Sequence, residues 1–160
     1  MLQKLVLTLL ILLKTGVCFA QEDGWIKFKP VELTSLINDK KSLIENAGRL
    51  TLVYFISGWC DTCSAHTQMI KYLHQKYASQ GLRTILIYIH EPLAEAKNHF
   101  SKISFSSQAY LGNDEVIENF YNPIVPTIFL IDRKGYLTGR YTTQSQLNDL
   151  SQLVMLTLSY

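Results

Sequence analysis

Cysteine, proline and charge of one sign are all scarce in this chain of 160 residues. It has three cysteines, four prolines and eight glycines, too few of the last two for a collagen-like or low-complexity chain. No repeat or long linker interrupts it, so the length holds one domain with one good core. Fifteen Lys and Arg stand against thirteen Asp and Glu, a formal net charge of +2. That near balance leaves no basic stripe to neutralise phosphates and speaks against nucleic acid as a partner. The apolar stretch Leu5–Leu13 is shorter than the roughly 20 residues a membrane span needs.

That stretch belongs instead to a secretory signal over residues 1–20. Lys4 supplies its positive region, Leu5–Leu13 its apolar core, and Cys18-Phe19-Ala20 the small-x-small pattern before Gln21. Two rivals stand beside cleavage near Ala20: an uncleaved membrane anchor, and a lipid-modified Cys18. The second would want a small residue where Val17 stands. Loss of the leader removes Lys4 and Lys14, bringing the formal charge of +2 to about zero. It leaves a single domain over 21–160, destined for a periplasm or its equivalent. The only cysteines of that domain are Cys60 and Cys63. Two cysteines scattered over such a length would fall at CxxC spacing roughly once in seventy trials. With no other disulfide available, stability must come from an ordinary core.

The remaining pattern gives an order of elements. "GWIKFKP" predicts a short edge strand ended by Pro30, and Val31–Ala47 one helix or two short ones. "LTLVYFIS" is a strand covered on both faces. The period then changes: Cys63, His66, Ile70, Leu73 and Tyr77 share one face of a helix closed by Gly81. "LRTILIYI" is a second buried strand, Leu93–Phe100 a short helix behind Pro92, and "SSQAYL" a further strand. Asn113 or Asp114 caps a helix running to Tyr121. "TIFLIDRKGYLTGRY" is a hairpin turning at Lys134-Gly135, and a last helix buries Leu147, Leu150 and Val154, with Leu153 and Leu158 flanking them. Strands alternating with helices, then a late antiparallel hairpin, predict an α/β fold built on a mixed sheet sandwiched by helices.

Cys60 falls where a buried strand gives way to a helix, the end at which such sheets expose their chemistry. Unpaired backbone N–H groups and the helix dipole there favour its thiolate. Cys63 lies one turn on, near enough to close a small disulfide. Cys60 is therefore the natural nucleophile and Cys63 the shielded, resolving thiol. Two other readings stay open. A structural disulfide closing so short a loop would constrain little of the unfolded chain. A metal site, Cys60-x2-Cys63-x2-His66, lacks a fourth ligand for zinc, although copper(I) would accept two thiolates.

"GWCDTC" after a buried strand, with "IVPTIFLID" and "DRKG" much later, resembles the thioredoxin fold, and in particular its TlpA/ResA-like branch of exported disulfide reductases. The resemblance spans nearly the whole mature chain. It implies that Trp59 flanks the site and that Pro126 is a cis-proline facing the cysteines. Val125 and Thr127 would then offer backbone to an extended substrate segment. It also implies clients carrying disulfides and a membrane thiol donor, and no prosthetic cofactor. Two departures from the branch stand out. His66 occupies the place of its usual glutamate, and Tyr54 that of a buried acid on the preceding strand. His66 is thus the base expected for the proton of Cys63. Asp61 beside Cys60 disfavours its thiolate and predicts a reducing couple. An oxidase or isomerase, or a copper-handling chaperone, are the alternative functions. His74 is expected to be solvated and His90 to sit on a loop at the edge of the site; His99 has no assigned role.

Overall fold

The strongest sequence signal, six consecutive apolar or β-branched residues, becomes the centre of the sheet. In the computed structural model, which describes residues 26–159, strand β3 (Thr51–Ile56) is buried at every position. It pairs in parallel with β4 (Arg83–Tyr88), Val53 lying opposite Ile85. Parallel neighbours need a long crossover, and helix α1 (Cys63–Tyr77) supplies it. Gly81, at φ +101° where a side chain would be strained, closes the end of that crossover.

Outward from β4, strand β5 (Gln108–Leu111) is again parallel. Helix α2 (Leu93–Ile103) links the two, entering behind Pro92 as expected. On the other side of β3, strand β6 (Thr127–Ile131) runs antiparallel and turns into β7 (Leu137–Tyr141). The Asp132 carboxylate fixes that turn by accepting from the backbone N–H groups of Lys134 and Tyr136, both at 2.9 Å. Helix α3 (Asp114–Asn119) starts at Asn113, whose side-chain oxygen accepts from Val116 N at 3.0 Å. Helix α4 (Leu147–Leu158) buries Leu147, Leu150 and Val154, as its spacing predicts.

The segment from Val31 to Ala47 departs from expectation. It forms β1 (Val31–Ser35) and β2 (Lys41–Ile44), an antiparallel hairpin, not helices. Lys, Leu and Glu in this stretch suit a helix locally. Val31, Leu33 and Ser35, however, alternate inward at period two, and β1 finds a partner in β5. Sheet pairing overrides local propensity here. Of the segment before Pro30, the described residues 26–29 contribute one bridge, Lys27 with Tyr136 at the far hairpin, and not a full strand. The leader expected over residues 1–20, including Cys18, lies outside the described residues.

The sheet order is β2-β1-β5-β4-β3-β6-β7. Its two faces are clothed unequally. Leu52, Tyr54 and Ile56 of β3 meet buried side chains of α1, α2 and α4. Val53 and Phe55 point the other way, toward Val116 of α3 and the rings of Phe28 and Phe120. Phe120 holds this thinner layer together, with ring centroids 4.9 Å from Phe129 and 5.0 Å from Phe55.

Candidate functional site: a disulfide at the strand–helix junction

Beyond Ile56 the chain leaves β3, crosses Ser57-Gly58-Trp59 and reaches Cys60, and α1 opens at Cys63. Cys60 N donates to Ser57 O and Cys63 N to Cys60 O, each at 3.1 Å, winding this segment into turns that bring the sulfurs together. Cys60 and Cys63 form a disulfide, with Cα atoms 5.4 Å apart. The two sulfurs are not equivalent. Cys60 is partly exposed and lies 3.6 Å from the Thr62 hydroxyl, whereas Cys63 is 3 % exposed and belongs to the core.

The Val125–Pro126 bond is cis. The last pair between β3 and β6 is Phe55 with Thr127, so the lead-in to β6 runs beside the end of β3 where the cysteine loop departs. Pro126 and Thr127 are buried, and the Thr127 hydroxyl donates to Ile124 O at 2.6 Å. Val125 keeps some surface, and the side chain of Ile124 is largely exposed. Trp59 is 57 % exposed, and its indole N–H donates to His90 O at 3.3 Å.

His66 faces inward on α1, as its helical phase predicts, and is buried. Neither ring nitrogen has a hydrogen-bond partner. Burial lowers its pKa below the ordinary histidine value, and the nearby Thr142 backbone opposes this without completing a bond. The imidazole is therefore held neutral. No hydrogen bond joins it to either cysteine. In this oxidised form the two cysteines are bonded to each other. Among the described residues, no three His, Cys, Asp or Glu side chains cluster closely enough to hold an ion.

Several neighbours of the disulfide carry no motif. The Tyr54 hydroxyl donates to Cys63 O at 3.1 Å, under the first turn of α1. Glu91 Oε1 accepts from Gly58 N at 2.8 Å. Burial raises the pKa of Glu91; the Gly58 N–H opposes this shift and Glu95 adds to it. The Tyr88 hydroxyl and His99 Nδ1 are hydrogen-bonded at 2.9 Å, which gives His99 the structural place its sequence context did not suggest. Burial, aided by Lys102, lowers its pKa. His90 is an exposed loop residue at φ +61°, as its strand-end position anticipates. His74 corrects expectation: it is half-buried, with its ring 5.0 Å from that of Phe105. Phe105 turns back over α1 from the loop after α2, a contact that helical phase alone does not reveal.

A mixed sheet with a CxxC disulfide at the β3–α1 junction and a cis-proline leading into the neighbouring strand is the thioredoxin fold. The chain belongs to the thioredoxin-like family, whose model matches residues 48–137. Comparison with curated protein sequences gives no match. Among solved structures, a Chlorobium tepidum protein provisionally named thiol:disulfide interchange protein DsbE superposes with TM-score 0.75. It shares 16 % identity over 84 % of this chain and 96 % of that one. A thioredoxin-family thiol:disulfide interchange protein from Chlorobium tepidum TLS gives TM-score 0.72 and 20 % identity, over 84 % and 97 % of the two chains. A secreted Mycobacterium tuberculosis disulfide oxidoreductase, homologous to Escherichia coli DsbE, gives 0.65 and 15 %, over 79 % and 95 %. At these identities the likeness is one of fold.

Proposed function

We propose that this protein is an exported thiol–disulfide oxidoreductase that reduces disulfides in client proteins. The carrying observation is the asymmetry of the pair: a disulfide whose first sulfur is reachable and whose second is buried. The reduced protein attacks a client disulfide through the Cys60 thiolate, forming a mixed disulfide and expelling one client thiolate, which takes up a proton. The Cys63 thiolate then attacks the Cys60 sulfur, expels the second client thiol and leaves Cys60–Cys63 oxidised. Two electrons and two protons pass to the client in one cycle. A thiol donor must return them, and in an oxidising compartment that donor is a membrane protein feeding electrons outward.

His66 is the base in this reading, because a buried neutral imidazole with both nitrogens unclaimed stands one turn from Cys63. Trp59, Val125, Pro126 and Thr127 form the client cradle. The exposed indole and the Val125 backbone meet the client, while Pro126 and Thr127 set the shape beneath. Export follows from the N-terminal leader, cleaved or retained as an anchor. Exposed Asp61 beside Cys60 disfavours the thiolate and makes the couple reducing.

The deciding measurement is the reduction potential of Cys60–Cys63 in the mature protein, equilibrated with a dithiol buffer. A value at or below roughly −250 mV, near that of thioredoxin, supports client reduction. A value near −120 mV, typical of the strong oxidants of this fold, reverses the direction and makes the protein a disulfide donor.

A further inference from the structure

The loop that carries Cys60 is held residue by residue from a single neighbouring segment, the connection between β4 and α2. Ile89 N donates to Ile56 O at 3.1 Å. The Ser57 hydroxyl donates to Ile89 O. Gly58 N donates to Glu91 Oε1 at 2.8 Å, and the Trp59 indole N–H donates to His90 O at 3.3 Å. Four successive residues ahead of the nucleophile are thus tied to three successive residues of one connection.

Glu91 differs from the other two anchors. Ile89 and His90 use backbone groups, which any residue would supply; Glu91 uses the far end of its side chain. Its carboxylate joins neither of the two ion pairs among the described residues. It is half-buried beside Glu95 and, among the described residues, has no ion-pair partner to offset the loss of water, an unfavourable place for a carboxylate. The surroundings are built to receive it. A Cβ at Gly58 would lie 3.0 Å from Glu91 Oε2 and 3.1 Å from His99 Cβ. His90, at φ +61°, adopts a left-handed conformation that is unfavourable for a non-glycine residue. That turn directs the chain so that Glu91 reaches back to Gly58.

We infer that Glu91 is a positioning residue for disulfide exchange: by accepting from Gly58 N, its carboxylate seats the Trp59–Cys60 segment so that the Cys60 sulfur meets an incoming disulfide in one orientation. The inference rests on the exchange function proposed above. Glu91 acts through reach and hydrogen-bond acceptance, with its charge secondary. A small misplacement of a reacting atom is enough to slow a reaction severalfold or more.

Three variants separate reach from charge. Glu91→Gln keeps the length and an acceptor oxygen, Glu91→Asp keeps the charge but falls short, and Glu91→Ala loses both. Each is reduced and reacted with 5,5′-dithiobis(2-nitrobenzoate) for the rate of exchange. Acrylamide quenching of Trp59 is read in a Trp25→Phe background, and urea midpoints confirm the fold. The seat predicts Glu91→Gln within about twofold of the parent, with Glu91→Asp and Glu91→Ala both about tenfold slower and more easily quenched. Glu91→Asp matching the parent while Glu91→Gln matches Glu91→Ala would overturn it in favour of charge. Four indistinguishable proteins would also overturn it. A parent unable to exchange disulfides defeats the proposed function, and the quenching series still scores the seat by the same ordering.

Discussion

The Tyr54 hydroxyl lies 3.1 Å from Cys63 O and 3.1 Å from the Thr67 hydroxyl, so a wholly buried strand side chain supports the turn of α1 that holds the inner sulfur. Burial pushes the phenol far above its ordinary pKa, with Thr67 opposing, so it remains an O–H donor at any working pH. Tyr54→Phe keeps the ring and removes that bond. The expected loss is about 1 kcal/mol of unfolding free energy for the oxidised protein, read by urea denaturation. An unchanged midpoint would show that the hydroxyl is a bystander.

His66 makes stability depend on pH with a definite sign. Burial, the larger influence, lowers its folded pKa, and the Thr142 backbone only partly restores it. Between that lowered value and the ordinary one near 6.5, the unfolded chain binds more protons than the folded one. Stability therefore rises with pH across the window and is lost on acidification through it. His74 and His99 are shifted in the same direction and add to the slope. The urea midpoint should be lower at pH 5.5 than at pH 7.5, and His66→Leu should shrink the difference. A difference of equal size in the variant would mean that His66 does not titrate on unfolding.

What was legible in the sequence is what repeats along it. The inward set of α1, from Cys63 to Tyr77, and the six buried residues of β3 each carry a period that one element enforces. The late hairpin announced itself through the Asp132–Gly135 turn. The β1–β2 hairpin did not, because Ser42, Leu43 and Glu45 read equally well as helix until β5 is known to lie beside β1. The site divides in the same way. CxxC and the proline just ahead of β6 are local patterns, whereas Gly58 and Glu91 are 33 residues apart and meet only because β3 and β4 end side by side. Tyr54 stood out only for the acid it replaces, and its hydroxyl bond to Cys63 depends on how α1 packs across the sheet.

The face of the sheet away from α1 should be the weaker one. Phe120 is wholly buried and packs its ring against Phe28, Phe55 and Phe129. Few other side chains can close the space it would leave, because α3 is a helix of only six residues. Phe120→Ala should cost about 3–5 kcal/mol in urea denaturation. Exchange at Cys60 should change little under conditions where the variant stays folded, since the ring is in the layer opposite Cys63. A loss below about 1 kcal/mol would mean that the layer collapses onto the vacancy.

Unequal burial of the two sulfurs makes a prediction about order. In the reduced protein, iodoacetamide should modify Cys60 at least about tenfold faster than Cys63, because alkylation needs a reachable thiolate. Cys60 has surface to offer, and Cys63 is 3 % exposed beneath the first turn of α1. Mapping the modified peptide at early times gives the ratio directly. The same asymmetry governs trapping. Cys63→Ser should accumulate a stable mixed disulfide at Cys60 with a disulfide-bearing client, since no thiol remains to release it. Cys60→Ser should accumulate none, because the remaining sulfur cannot be approached. Equal labelling of the two cysteines, or a trapped adduct on Cys63, would assign the nucleophile to the wrong sulfur and require α1 to open before exchange begins.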